Sequence, residues 1–163
     1  MDLSIRSYAE GDAPGLAKVF HRAVHEGAAT RYSLDERMAW SPSVPDGASW
    51  EERLSGLETV VAERAGDPVG FMSLDVSRGY LDLAFVVPEV MGQGVAALIY
   101  AVVEGRARSA GLTRLTTEAS LLAEPFFRRQ GWRLMKRQKV ERLGVELSNA
   151  VMEKDIAARE AVA

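Results

Sequence analysis

The chain of 163 residues is 47% hydrophobic and 26% charged, the balance expected for one globular domain with a sizeable core. It contains no cysteine, which excludes disulfides, thiolate metal ligands and cysteine nucleophiles. Its net charge of −3 gives no overall attraction to nucleic acid or to an anionic membrane, so the expected partner is a small molecule.

No stretch approaches the roughly 18 apolar residues that a membrane-spanning helix requires. The N-terminus also lacks the basic and apolar regions of a signal peptide. We therefore expect a cytoplasmic protein with no membrane association. We divide the chain into one domain, residues 1–154, and a C-terminal tail, residues 155–163, with fraying from Glu153 onward.

Hydrophobic periodicity and turn signals predict eleven elements. In chain order they are a strand at 3–8, a helix from 13 that stops at 27, a helix at 49–57, strands at 60–63, 69–76 and 80–87, a helix at 95–109, a strand at 112–119, a short helix at 123–131, and strands at 132–141 and 145–152. Asp12 stands at the N-cap of the first helix, and Ser49 with Glu52 has capping-box spacing at the second. Between residues 28 and 47 the periodicity is lost, which indicates a helical turn and a loop.

This order sets one βαβ crossover, Tyr80 to Ala119, among antiparallel hairpins. We therefore predict an α+β fold with a mixed, mostly antiparallel central sheet and helices on both faces.

The strongest chemical signal is a strand ending at Phe85 to Pro88, followed by Gly92-Gln93-Gly94 and a helix. Glycines at a strand-to-helix turn let the backbone approach a ligand closely, and the first N–H groups of the helix point at that ligand unpaired. The pattern therefore indicates a pyrophosphate site.

Two more specific or competing interpretations of this glycine turn stay open. Gly92-x-Gly94-x-x-Ala97, with Glu118 about 20 residues after the turn, fits the dinucleotide-binding fingerprint. A doubly wound fold needs several βαβ units, however, and this chain offers one. The other alternative is a purely structural glycine turn.

Two segments resemble the GNAT superfamily of N-acetyltransferases. Val87 to Ala96 is similar to its phosphate motif, and Glu118 to Trp132 is similar to its segment with an alanine, an aromatic pair and a glycine-aromatic ending. Together with the element order, the resemblance covers Leu3 to Lys154. Residues 32–42, 117–120 and 145–154 also resemble a branch of mostly uncharacterised bacterial members.

The resemblance implies acetyl-CoA, or another acyl-CoA, as co-substrate, without a metal. Backbone amides of residues 92–96 would bind the pyrophosphate. Val86 and Val87 would lie at a splayed strand end, where one of their N–H groups polarises the thioester carbonyl. The predicted cofactor contacts are Val86, Val87, Met91, Gly92, Gln93, Gly94, Val95, Ala96, Ser120, Phe126, Phe127 and Arg128.

Two residues depart from the family pattern. Met91 replaces the usual glutamine or arginine, which removes one polar side-chain contact. Phe127 occupies the position of the tyrosine that often protonates the leaving thiolate. The loss is tolerable because a thiol of pKa about 8.5 is a fair leaving group even unprotonated. Ser120 or a water could also donate the proton.

Attack on a thioester needs a neutral amine, so a base must deprotonate an ammonium ion. Asp82, in the strand that leads to the glycine turn, is the first candidate, and Glu118 is the second. Strand alternation would place Tyr80, Asp82, Ala84 and Val86 on one face. The structural alternative for Asp82 is an ion pair or an exposed position.

Three aromatic residues, Tyr32, Trp40 and Trp50, lie in the region that forms the acceptor pocket in the family, although core packing explains them equally well. His21 and His25 share i,i+4 spacing, but no third metal ligand is in view.

The sequence thus predicts acetyl transfer to a primary amine, most simply of a small molecule, by direct attack in a ternary complex. A non-catalytic acyl-CoA-binding regulatory module is the alternative that Met91 and Phe127 favour. Because dimers are common in the superfamily, a homodimer through the last hairpin is a further expectation.

Overall fold

The structure is a computed structural model that describes residues 2–156. Its strands are β1 Leu3–Ser7, β2 Glu58–Arg64, β3 Asp67–Asp75, β4 Tyr80–Val86, β5 Arg114–Ser120, β6 Arg133–Arg142 and β7 Val145–Asp155. Its α-helices are α1 Ala13–His25, α2 Leu34–Trp40, α3 Gly47–Leu54, α4 Val95–Ser109 and α5 Glu124–Arg129, and two 3₁₀ turns lie at Gly27–Thr30 and Pro88–Val90.

The seven strands form one sheet in the order β1-β2-β3-β4-β5-β7-β6. Neighbouring strands are antiparallel except β4 and β5, which are parallel and are joined through α4. This arrangement confirms the predicted α+β fold with a mixed sheet and one βαβ crossover.

Helices cover both faces of the sheet. A Cβ built on Gly70 of β3 would lie 3.1 Å from Ile99 of α4, which places α4 on that face. The next residue, Phe71, points to the other face, where its ring and that of Phe20 from α1 both pack against Phe85. The core therefore lies in two layers, one on each side of β3 and β4.

The parallel strands separate soon after they begin. Within residues 2–156, β4 and β5 pair at two positions, Tyr80–Thr116 and Leu81–Thr117. On the other edge of β4, Ser73 pairs with Leu83 and Leu74 with Leu81, so Asp82 is the extra residue of a β-bulge. A bulge bends its strand and increases the local twist. The bend accompanies a wedge-shaped opening between the carboxyl ends of β4 and β5.

The bulge makes one sequence prediction wrong. Tyr80 and Asp82 line one cavity together with Phe85, whereas Ala84 and Val86 line another. The four residues Tyr80, Asp82, Ala84 and Val86 therefore do not share one face, because the extra residue reverses the alternation after Asp82.

The segment at residues 28–47, predicted as a helical turn and a loop, contains a 3₁₀ turn and the helix α2. A capping box starts α2: Ser33 accepts the Glu36 N–H at 3.1 Å, and Glu36 accepts the Ser33 N–H at 2.7 Å. The proposed capping box of Ser49 and Glu52 is wrong, since Asp46 caps α3 by accepting the Ser49 N–H at 2.9 Å. That helix ends at Leu54 rather than at Leu57.

Two predictions made near the ends of the described chain differ from the structure. Asp12 stands at the N-cap position of α1 but accepts from Arg6 and from the Ala9 N–H instead of capping the helix. Strand β7 runs to Asp155, and Ile156 is 1% exposed, so the expected fraying from Glu153 is wrong up to Ile156. Residues 157–163 lie outside the described residues.

Candidate active site

The wedge between β4 and β5 opens into a cavity of about 360 Å³, which we call the first cavity. Its walls are the end of β4, the glycine turn, the start of α4 and one face of α5. Of the predicted cofactor contacts, it is lined by Val86, Met91, Gly92, Gly94, Val95, Ala96, Ser120, Phe126 and Phe127.

The glycine turn owes its shape to backbone conformation. Gly92 and Gly94 have φ of +77° and +82°, in the left-handed region that L-residues with a side chain rarely adopt. A Cβ built on either residue meets no atom of the described chain within 4 Å. The space beside both glycines is therefore open to a ligand that approaches the backbone.

Helix α4 presents its unpaired N–H groups at this turn. The first intrahelical bond runs from the Leu98 N–H to the Gly94 carbonyl at 3.1 Å, so the N–H groups of Val95, Ala96 and Ala97 precede it. The Gln93 N–H, one of the predicted pyrophosphate donors, instead donates to the Val90 carbonyl at 3.2 Å. The Gln93 N–H is therefore engaged within the turn, whereas the N–H groups at the start of α4 suit an anion.

The two candidate amides at the end of β4 differ in direction. The Val87 N–H donates to the Val69 carbonyl at 2.9 Å, so it points toward β3. Because N–H groups alternate sides along a strand, the Val86 N–H points the other way, into the wedge left by β5. Of the two amides, Val86 is therefore the one whose N–H faces the first cavity.

A second cavity of about 370 Å³ adjoins the first. Trp40, Phe85 and Ser120 line both cavities, which therefore meet at these three side chains. The predicted acceptor residues Tyr32 and Trp50 line the second cavity, together with the two candidate bases, Asp82 and Glu118.

Asp82 is in an ion pair, the structural alternative given for it from the sequence. Arg53 of α3 donates to both carboxylate oxygens, at 2.6 and 3.0 Å. These hydrogen bonds raise the pKa of the Arg53 guanidinium, which keeps it cationic. To act as a base toward an acceptor amine, Asp82 would have to give up part of its hydrogen bonding with Arg53.

Glu118 has uncharged partners. Its carboxylate accepts from the Tyr80 hydroxyl at 2.9 Å and from the side-chain amide of Gln138. Burial, followed by this contact with Glu118, raises the pKa of Tyr80, so the phenol stays a neutral donor. Within the described chain no cation lies at ion-pair distance from Glu118, so its negative charge faces the second cavity uncompensated.

The predicted acceptor residues Tyr32 and Trp50 also make contacts that stabilise the fold. The Tyr32 hydroxyl donates to the Ser148 carbonyl at 2.6 Å and accepts the Leu121 N–H at 2.9 Å, and burial raises its pKa. Trp50 is 7% exposed and stacks on Phe20 with ring centroids 5.0 Å apart. Both interpretations of these residues, as cavity wall and as core, therefore hold.

The residues that depart from the family pattern lie at the first cavity. Met91 is 38% exposed, whereas Phe127 is 1% exposed and packs edge-on against Trp132. Arg128 forms an ion pair with Glu124 at 2.9 Å, and Arg129 lines the cavity instead. Arg128 is therefore directed away from the predicted cofactor position.

His21 and His25 are joined through the end of α2. His21 Nδ1 lies 2.6 Å from Ser41 Oγ, and His25 Nε2 lies 2.7 Å from the Ser41 carbonyl oxygen. Ser41 follows Trp40, so the two histidines hold the helix end that carries a shared wall of both cavities. Among residues 2–156 no cluster of three or more side chains is arranged to hold a metal ion.

The polar residues of the second cavity that sequence reasoning missed include Arg53, Arg142 and Asn149. Each reaches the cavity through tertiary placement: Arg53 through the end of α3, and the other two through the β6–β7 hairpin. The capping signal at Asp46 could have placed the end of α3, whereas no local signal orients the hairpin.

The glycine turn, the splayed strands and the paired cavities together define the acetyltransferase class that the resemblance predicts. A family model for the acetyltransferase (GNAT) domain matches residues 28–155. The uncharacterized N-acetyltransferase YafP of Escherichia coli strain K12 is 36% identical over 152 residues, covering 93% of this chain and 95% of that protein. The chain belongs to the GNAT acetyltransferase family.

Solved structures agree with this assignment. A GCN5-related N-acetyltransferase from Rhodopseudomonas palustris has a TM-score of 0.86 at 32% identity, covering 95% of this chain and 98% of that one. A phosphinothricin acetyltransferase from Sinorhizobium meliloti, solved with acetyl-CoA, has a TM-score of 0.73 at 19% identity, covering 99% and 92%. The second likeness shows the fold alone. Among the described residues, no helix is both long and apolar enough to cross a membrane.

Proposed function

We propose that the protein transfers an acetyl group from acetyl-CoA to a primary amine by direct attack in a ternary complex. The observation that carries this proposal is the junction of the two cavities at Trp40, Phe85 and Ser120. A thioester in the first cavity and an amine in the second can meet there, without a covalent acyl-enzyme.

The cofactor's part follows from the first cavity. The N–H groups of Val95, Ala96 and Ala97 face the pyrophosphate, and the Val86 N–H donates to the thioester carbonyl. As the amine attacks, the carbonyl oxygen gains negative charge, which that N–H stabilises. Ser120, whose hydroxyl accepts the Ala123 N–H at 3.1 Å, is the donor to the leaving thiolate.

The proton of the acceptor goes to a carboxylate of the second cavity. Glu118 is our choice, because its partners are neutral and its charge attracts an ammonium ion. Asp82 remains the competing candidate, although Arg53 already holds both of its oxygens. A small-molecule amine suits the size of this cavity, about 370 Å³. A homodimer through the β6–β7 hairpin stays a separate prediction.

The test has two stages. Thermal unfolding is first followed with CoA, acetyl-CoA and NAD; a ligand at 100 times its dissociation constant adds about 2.7 kcal/mol of stability. Stabilisation by the CoA species alone supports the first cavity as the cofactor site. Stabilisation by NAD alone would revive the dinucleotide hypothesis.

Thiol release from acetyl-CoA is then measured with a panel of primary amines. We expect Glu118→Gln to lower kcat/KM by about 10² to 10⁴, the usual contribution of a general base, with unchanged stabilisation by CoA. Glu146→Gln, an exposed glutamate on the same sheet, is the control. Binding of CoA without amine-dependent thiol release in wild type would favour the non-catalytic module.

A further inference from the structure

The charged side chains of the second cavity are not distributed evenly. Two cations, Arg53 and Arg142, and two carboxylates, Asp82 and Glu118, line it. Arg53 and Asp82 neutralise each other through their two hydrogen bonds. The charges available to a ligand are therefore those of Glu118 and Arg142.

Arg142 is set apart from the other cations of β6 by its position at the cavity and its lack of an ion pair. Across residues 2–156 no carboxylate lies within ion-pair distance of it, whereas Arg137 pairs with Glu124 and Lys139 with Glu146. Lys136 also forms no ion pair within these residues, but it does not line the cavity. Arg142 is the last residue of β6, beside the tight turn at Leu143 and Gly144. A free guanidinium at a cavity wall suits a carboxylate, which it can bind through two parallel hydrogen bonds.

The separation of Glu118 and Arg142 can be estimated along β6 by starting from Gln138, a hydrogen-bond partner of Glu118. Gln138, which donates to Glu118, and Arg142 are four residues apart, so their Cα atoms lie about 13 Å apart at 3.3 Å per residue. They are on the same face of the strand, because their separation is even. A ligand that touches both must span several bonds.

The wall between these charges is apolar. Val140 lies midway on the same face of β6, and it pairs with Leu147 of β7, which is 4% exposed. Both line the cavity, as does the ring of Tyr32. Along the wall a ligand thus meets a carboxylate, a hydrocarbon surface and a guanidinium.

We propose that the acceptor is an ω-amino carboxylate, a primary amine joined to a carboxylate by a short aliphatic chain, with Arg142 as its specificity-determining residue. This inference rests on the proposed function. The ammonium binds at Glu118 beside the cavity junction, the methylene chain lies on Val140 and Leu147, and the carboxylate binds Arg142. An α-amino acid, whose charged groups share one carbon, is too short to reach both charges. A polyamine would bring a cation to Arg142.

Three acceptors of equal chain length test the proposal: 6-aminohexanoate, hexylamine and 1,6-diaminohexane. We expect kcat/KM for thiol release to favour 6-aminohexanoate over hexylamine by tenfold or more, with 1,6-diaminohexane poorest. Arg142→Gln should bring the ratio between the first two close to one. Arg142→Glu should reverse the order in favour of the diamine.

Lys136→Gln is the matched control, because Lys136 is an exposed cation on the same strand that does not line the cavity. It should retain the wild-type ratio. Equal turnover of 6-aminohexanoate and hexylamine by wild type, or an unchanged preference in Arg142→Gln, would overturn the proposal.

Calorimetry with the CoA-loaded protein separates this inference from the proposed function. Binding of 6-aminohexanoate that Arg142→Gln weakens tenfold, in a protein without thiol release, would sustain the acceptor site and overturn the transferase activity. Thiol release with amines that carry no carboxylate, and no binding of 6-aminohexanoate, would sustain the transferase activity and overturn the proposed acceptor.

Discussion

Arg53 and Asp82 connect the last turn of α3 to the bulge of β4 through two hydrogen bonds, at 2.6 and 3.0 Å. The arginine side chain is 43% exposed and the aspartate 17%. Solvent therefore screens the pair, and its contribution to stability is of the order of 1 kcal/mol or less. Its main effect is to fix the side chain of the bulge residue at the wall of the second cavity.

Asp82→Asn separates a positioning role from that of a base. The amide keeps one acceptor for Arg53 but loses the charge. We expect kcat/KM for thiol release to fall no more than about tenfold, well short of the loss expected for Glu118→Gln. A loss by Asp82→Asn that equals or exceeds that of Glu118→Gln would make Asp82 the base.

Gly94→Ala tests the cofactor turn. The alanine must adopt φ near +82°, at a cost of about 1 to 2 kcal/mol, and its methyl group enters the space beside the helix N-terminus. We expect CoA to stabilise the variant much less than wild type in thermal unfolding.

Gly66→Ala is the control for that substitution, because Gly66 has φ of +83° in the β2–β3 turn and also meets nothing within 4 Å. It should lose similar stability yet keep the full shift with CoA. Equal CoA shifts in both alanine variants would mean that the turn at Gly94 does not contact the cofactor.

Ser120→Ala examines protonation of the leaving group. Since a thiolate of pKa about 8.5 leaves without a donor, we expect kcat to fall by no more than about tenfold while KM for acetyl-CoA changes little. The measurement is steady-state thiol release at several acetyl-CoA concentrations. An unchanged kcat would mean that water, not Ser120, donates the proton. Because the Ser120 hydroxyl also accepts the Ala123 N–H, thermal unfolding of the variant is the control for a structural effect.

We expect the protein to be less stable in acid because of His21. Burial, with a smaller contribution from His25, lowers the pKa of His21 below its ordinary value of 6.5. Between the lowered pKa of folded His21 and about pH 6.5, the unfolded chain therefore binds more protons than the folded chain. The free energy of unfolding keeps its full value above that range and decreases as the pH falls through it. Denaturant unfolding at a series of pH values should give a shallower acid slope for His21→Gln. An unchanged slope would remove His21 from the explanation.

The crossover and the cofactor turn could be predicted because their signals are local. A strand, a glycine pair and an apolar helix follow one another directly along the chain, and they build the first cavity between them. Helix α2 was predicted only as a helical turn although its capping box is present, because the helix has 7 residues. That is less than two full turns, which is too short to show a hydrophobic period.

The second cavity was beyond local signals for a different reason. The bulge at Asp82 results from a mismatch in register between β3 and β4, which neither strand shows alone. The approach of Arg142 depends on how the β6–β7 hairpin pairs with β5. The spacing of residues in a sequence does not show which charged side chains three different strands bring together.

The two pairs that join β4 to β5, Tyr80–Thr116 and Leu81–Thr117, divide the sheet into a four-strand half and a three-strand half. The Val86 amide, which we propose as the group that polarises the thioester, belongs to the larger half, and Glu118, Ser120 and Arg142 belong to the smaller one. The geometry of the proposed reaction would therefore depend on the contacts that hold the two halves together. Beside the two strand pairs, these contacts include the hydrogen bond from the Thr117 hydroxyl to the Leu81 carbonyl and the one from the Tyr80 hydroxyl to Glu118.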